Sequence, residues 1–167
     1  MFRLDNKIAI VTGGGSGIGR AISILFAQQG ATVCILDIND NGAAVADEIN
    51  NANDKAFFYA CNISNQSEVK NSVQQIIQQH NTIDILINNA GIAHIGNAEN
   101  TSAEDFERLM NVNGKGVYNC LHEVIPFMKH KGGSIVNLAS VAALVGLSDR
   151  FAYSATKGAT IAMTLSV

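Results

Sequence analysis

The sequence predicts an α/β fold, a doubly wound parallel sheet, and three observations predict it. Short apolar runs alternate with longer stretches of helical periodicity along the 167 residues, the pattern of successive strand–helix–strand units. The apolar runs are nearly continuous, as strands covered on both faces require. Glycine and polar residues collect where the runs stop, and open α/β sheets bind ligands beyond the carboxyl ends of their strands.

Residues 7–12 (KIAIVT) form a compact β-branched run and predict the first strand. Ile18, Ile22 and Leu25 then fall at helical spacing, and Gly30 is placed to close that helix. Residues 32–37 (TVCILD) predict the second strand, Val45 and Ile49 mark the helix after it, and residues 56–60 (AFFYA) predict the third strand. Ser64 is the expected N-cap of a helix whose apolar stripe is Val69, Val73, Ile76 and Ile77. Residues 83–88 (IDILIN) predict the fourth strand. Thr101-Ser102-Ala103-Glu104 fits a capping box. The long helix it opens carries Phe106, Leu109, Val117, Leu121, Val124 and Met128, and Pro126 is expected to kink or fray its end. Residues 134–138 (SIVNL) predict the fifth strand, and a last helix is expected to begin near residues 151–153 and to be still running at Val167. No repeat, low-complexity tract or linker interrupts the pattern, so residues 1–167 read as one domain.

Composition narrows the function. The chain is 47% hydrophobic and 15% charged, globular values, with a formal net charge of -3. No Lys/Arg block is present, which argues against a nucleic-acid partner. No run reaches membrane-spanning length and no apolar leader precedes the first strand, so no membrane partner is expected and the cytoplasm is the expected compartment. Cys34, Cys61 and Cys120 lack the spacing of a zinc site or disulfide framework and read as small buried hydrophobes, with no metal expected.

The chemistry-bearing residues lie at the strand ends. TGGGSGIG, residues 12–19, joins the first strand directly to a helix. Glycines there permit a tight turn and close approach of backbone to a pyrophosphate, and the helix N-terminus supplies N–H groups. Asp37 lies 18 residues after Gly19, near the separation expected for an acid that accepts hydrogen bonds from adenosine ribose. Its carboxylate would repel a 2′-phosphate, and neither residues 13–19 nor Ile38 and Asn39 offer a basic group, so NAD is expected rather than NADP. Tyr153 and Lys157 stand four apart and share a helix face. A phenol is a poor base at neutral pH, but a neighbouring ammonium favours the phenolate, which could take an alcohol proton or return it. Ser140, at the fifth strand's end, could hydrogen-bond a substrate oxygen. Asn113 falls on an otherwise apolar helix stripe, and a buried amide must find partners. Either the helix is broken near Gly114 and Gly116, or Asn113 holds an ordered water against Lys157 that feeds protons to Tyr153.

With these residues in place, the sequence resembles the classical short-chain dehydrogenases/reductases. TGGGSGIG matches their cofactor turn, NNAG (residues 88–91) their fourth-strand motif, and YSATK (residues 153–157) their YxxxK. Asn113 and Ser140 match the family's catalytic Asn and Ser, and all five features occur in family order. The resemblance implies a Rossmann-type fold and an Asn113, Ser140, Tyr153, Lys157 tetrad, with Lys157 also holding the nicotinamide ribose. It implies cofactor contacts from Gly13, Ser16, Gly17, Ile18, Gly19, Asp37, Ile38, Asn62, Ile63, Asn89, Ala90 and Gly91, besides Tyr153 and Lys157. Asn62 stands where the family usually has Asp near the adenine, and its carbonyl is expected to accept from the adenine amino group.

The implied activity is hydride transfer between NAD(H) and a secondary alcohol or ketone. Arg150 and His94 suggest a hydroxy or sugar acid, through a bidentate guanidinium–carboxylate contact. The alternatives are a 3-oxoacyl-carrier reductase, which would favour NADPH and a basic docking patch, and a non-catalytic nucleotide-binding remnant. Family members run on for two more strands and associate as dimers or tetramers through the helices bearing Asn113 and Tyr153. The chain is therefore expected to be truncated within its last helix, with the last strands missing, and a homo-oligomer is expected at full length. The literal chain is expected to expose its fifth strand and to be unstable, aggregated or inactive.

Overall fold

The computed structural model describes residues 2–167. Five parallel strands form one sheet: β1 (Ile8–Thr12), β2 (Thr32–Asp37), β3 (Lys55–Ala60), β4 (Ile85–Asn88) and β5 (Ser134–Asn137). Their spatial order is β3-β2-β1-β4-β5, so the chain winds outward from β1 to β3 and then crosses back to the other side of β1. That reversal between β1 and β4 is the switch point at which α/β sheets open a ligand crevice.

Six helices cover the sheet: α1 (Gly17–Gln28), α2 (Asn41–Asn51), α3 (Gln66–His80), α4 (Ala103–Leu109), α5 (Gly116–Met128) and α6 (Phe151–Thr164). Strand side chains alternate between faces. Ile8, Ile10, Cys34 and Leu36 meet the stripes of α3 and α5, including Val73, Ile76, Val117 and Val124. Ala9, Val11, Val33 and Ile35 meet Ala27 of α1 with Val45 and Ile49 of α2 on the opposite face. Ile10 and Ile35 are wholly buried, and each such side chain is worth about 1.5–3 kcal/mol relative to exposure. All three cysteines are buried in the core.

Most differences from the sequence expectations are shifts of one or two residues with identifiable causes. The N-cap of α3 is Asn65, whose side chain accepts from the N–H groups of Ser67 and Glu68. Ser64 instead bonds Asn62. The cap of α4 is Ser102, bonded by the Asp105 N–H, because the Thr101 hydroxyl donates to the Asn97 carbonyl. β4 starts at Ile85 rather than at residue 83, and Pro126 sits inside α5, which ends two residues later at Met128.

The long helix is divided: Met110–Lys115 forms a π-helical turn between α4 and α5, and Asn113 lies in it. Such turns insert an extra residue into the helical repeat and re-aim side chains. The last helix is assigned as far as Thr164, and the Leu165 N–H still bonds the Ile161 carbonyl beyond it.

Candidate active site

The end of β1 is sewn to the end of β4. The buried Thr12 hydroxyl donates to the Ile87 carbonyl (3.3 Å) and accepts from the N–H groups of Asn89 and Ala90 (both 3.0 Å). The Asn89 amide donates in return to the carbonyls of Thr12 (2.9 Å) and Gly13 (3.1 Å). Gly13 has φ +63°, and a Cβ there would lie 2.9 Å from Ala90 Cα, so no other residue fits. A Cβ on Gly19 would strike the Gly13 carbonyl. Gly17 opens α1, and the space a Cβ would occupy there is empty. Ser16 makes no side-chain capping bond and no acid stands in the first turn. The N-terminal N–H groups and positive dipole end of α1 are therefore left for an anion, and a pyrophosphate fits them.

A cleft of about 490 Å³ runs from this turn along the strand ends. The turn contributes Gly13, Ser16, Gly17 and Ile18, β2 contributes Asp37 and Ile38, the end of β3 Asn62 and Ile63, and the end of β4 Asn89, Ala90 and Gly91. Gly19 lies behind the wall. Asn39, Cys61, Ile92 and Val112 also line the cleft and escaped the sequence reading, although each stands within two residues of a motif position. The Asp37 carboxylate is held by the N–H groups of Gly15 (2.9 Å) and Asn39 (3.0 Å), one on each oxygen, which leaves a lone pair on both for a ligand. The basic side chain nearest in sequence to the turn, Arg20, is engaged by both carboxylate oxygens of Glu48 at 2.7 Å.

The Asn62 side-chain carbonyl accepts from both the N–H (3.1 Å) and the hydroxyl (2.8 Å) of Ser64. An adenine amino group would have to take the place of the rotatable hydroxyl on that oxygen.

Tyr153 and Lys157 line a second cleft of about 190 Å³, with Leu138 and Ala139 at the end of β5. Ile18, Asn89, Gly91 and Ile92 line both clefts, so the two adjoin. The Lys157 ammonium lies 5.9 Å from the Tyr153 ring centroid and donates to the Leu138 carbonyl at 2.6 Å. Lys157 is only 6% exposed, and burial holds its pKa below the ordinary lysine value. Ser140 follows Ala139 directly and caps a short 3₁₀ turn, Val141–Ala143, by accepting from the Ala142 N–H.

Asn113 is fully buried, and its amide is spent on protein groups. Oδ1 accepts from the Ile92 N–H (2.8 Å), and Nδ2 donates to the Ile92 carbonyl (2.9 Å) and the Thr156 hydroxyl (3.1 Å). This side chain therefore ties the π-helical turn to the loop after β4 and to α6. The expected water between it and Lys157 has only one remaining side-chain lone pair to use.

His94 and Arg150 come together through the His94 backbone. Arg150 Nη1 donates to the carbonyls of His94 (3.2 Å) and Asp149 (3.4 Å), and Gly96 exchanges backbone bonds with Asp149 and Phe151. Neither side chain lines the Tyr153–Lys157 cleft. Arg150 braces two loops, a use that leaves no trace in local sequence. Among the described residues, no group of His, Cys, Asp or Glu could hold a metal, and no helix is long and apolar enough to cross a membrane.

Comparison with known proteins agrees with this geometry. The family model for short chain dehydrogenase matches residues 7–167. The chain is 38% identical over 164 residues to a 3-oxoacyl-[acyl-carrier-protein] reductase of Thermotoga maritima, covering 97% of this chain and 67% of that protein. It is 37% identical over 158 residues to a D-threitol dehydrogenase of Mycolicibacterium smegmatis, covering 93% and 61%. A short chain dehydrogenase/reductase of Burkholderia phymatum, solved in complex with NAD, superposes with a TM-score of 0.95 at 30% identity, covering 99% of this chain and 60% of that one. The chain thus spans roughly two thirds of the length of the proteins it matches.

Proposed function

The chain belongs to the short-chain dehydrogenase family, and from that premise we propose that residues 1–167 are the dinucleotide-binding domain of an NAD(H)-dependent oxidoreductase acting on a secondary alcohol or ketone. The observation that carries this reading is the continuity of the two clefts. A dinucleotide whose pyrophosphate sits on α1 extends one way toward Asp37 and the other toward Tyr153 and Lys157.

The bound nicotinamide would supply or take up the hydride. The Tyr153 phenol gives its proton to the carbonyl oxygen in reduction, or accepts the alcohol proton in oxidation. The Lys157 ammonium, already fixed by the Leu138 carbonyl, keeps two N–H donors for the nicotinamide ribose and the proton path. Ser140 presents a hydroxyl to the substrate oxygen, and Asn113 holds α6 in register with the loop after β4. NAD is favoured over NADP by the Asp37 carboxylate and by the engagement of Arg20 with Glu48.

The Thermotoga relative acts on acyl-carrier substrates by its name, but the NADPH preference expected of such a reductase runs against Asp37. A hydroxy or sugar acid is the finer substrate reading: Arg150 spends only Nη1 on backbone carbonyls and keeps its Nε and Nη2 donors for a carboxylate. Self-association through α5 and α6 is supported by the exposed aromatic rings of Tyr118, Phe127 and Phe151, and sedimentation tests it. For the activity, nicotinamide absorbance is followed with NAD and a panel of secondary alcohols. Turnover that needs Tyr153 is expected; NAD binding with no turnover of any panel member would favour a non-catalytic role.

A further inference from the structure

Asn119 is fully buried on α5, and nothing in the proposed chemistry uses it. Its Nδ2 donates to the Ile63 carbonyl at 2.8 Å, while its Oδ1 is buried without a partner. A half-satisfied buried amide costs free energy, so an apolar residue would be expected here on stability grounds alone. Three residues earlier, a Cβ on Gly116 would lie 2.5 Å from Ile63 Cδ1. The same helix therefore grips Ile63 twice, by its side chain and by its carbonyl.

Ile63 lies in the cleft wall beside Asn62, at the end where β2 and β3 stop. The surrounding backbone is pinned. The Cys61 N–H donates to the Asp37 carbonyl (2.9 Å), Asn62 to Glu68 Oε2 (2.8 Å), Ser64 to Asn62 Oδ1 (3.1 Å) and Asn65 to the Asn62 carbonyl (2.9 Å). Of the five consecutive N–H groups from 61 to 65, that of Ile63 is the one without an acceptor among the described residues. A free, fixed donor in a cleft wall is a site for a ligand acceptor.

We propose that Asn119 is a positioning residue for purine recognition: through the Ile63 carbonyl it holds the Ile63 N–H toward an acceptor ring nitrogen on the edge of the base. The proposal rests on the dinucleotide reading, and it adds a preference for a base whose edge nitrogen is an acceptor, as in adenine. Hypoxanthine carries a hydrogen at that nitrogen and would meet the donor head-on.

Titration calorimetry with NAD and with nicotinamide hypoxanthine dinucleotide, on wild type, Asn119→Leu and Asn119→Ser, tests it. Wild type is expected to prefer NAD by about tenfold, and both variants to bring the two affinities within about twofold of each other. The serine variant keeps a small polar group and serves if the leucine variant does not fold. Variants that bind both dinucleotides more weakly but keep the wild-type ratio would overturn the proposal, because a purely structural role lowers both alike. Equal affinities in wild type would overturn it while leaving the dinucleotide reading intact. Failure of wild type to bind either would overturn that reading and this proposal with it.

Discussion

The wall built by the glycine turn and the wall built by the segment between β5 and α6 are held in different ways. On the first, β1 and β4 are buried along their whole length, and Thr12 and Asn89 close five hydrogen bonds across them. On the second, residues 138–150 run from the end of β5 to the start of α6 outside the sheet ladder, and Ser140 caps a short 3₁₀ turn within them. The first wall is a rigid cast made by buried backbone. The second rests, among the described residues, on that turn, the Arg150 brace and one backbone bridge between Gly96 and residue 150. On the proposed reading, the cofactor chemistry is written into the first, and substrate choice falls to the second, where side chains can change without unpicking the sheet.

The sharpest test of this contrast is Tyr153→Phe, which removes the proton donor and leaves the cast intact. Turnover should fall by about 10²–10⁴-fold while the NAD dissociation constant measured by calorimetry stays within about threefold. A parallel loss of binding would show that the walls are not separable.

Gly19→Val strikes the cast itself, through the clash with the Gly13 carbonyl, and NAD affinity should drop roughly 100-fold. Leu144→Ala on the other wall should leave that affinity within about twofold. Comparable losses from both would erase the distinction.

Asp37→Ala should cut the preference for NAD over NADP by about tenfold or more, since it removes both the ribose acceptor and the repelling charge. Titration with each dinucleotide reads the ratio, and an unchanged ratio would place selectivity elsewhere.

On the second wall, Arg150→Met removes the Nη1 brace between two loops and should raise KM for acidic and neutral alcohols alike, by about threefold. A rise confined to acids would assign the remaining guanidinium donors to a substrate carboxylate.

The smallest effect concerns the core beneath the cast. Burial pushes the Cys34 thiol from 9.0 up to about 12. The folded state then keeps a proton that the unfolded chain loses, so this contribution is complete below pH 9 and is lost as pH rises toward 12. Thermal unfolding followed from pH 8 to 10.5 should show a shallower alkaline decline in Cys34→Ala than in wild type; identical slopes would sink the idea.

Read alone, the sequence determined the α/β class, the five strands, the glycine turn, the acid at the end of β2 and the Tyr153–Lys157 face. Each is a local pattern: a run of β-branched residues, a turn only glycine can make, an acid at a set distance, or two residues one helical turn apart. The tertiary structure alone decided that Asn113 sits in a π-helical turn and ties Ile92 to Thr156, that Asn62 spends its carbonyl on Ser64, that Arg150 braces the His94 loop, and that Asn119 grips Ile63. Apart from the Asn62–Ser64 turn, these are bonds from a side chain to a group 21 to 56 residues away. Such a bond leaves no periodicity, because its partner is chosen by the packing of helices against the sheet and not by its neighbours in the chain.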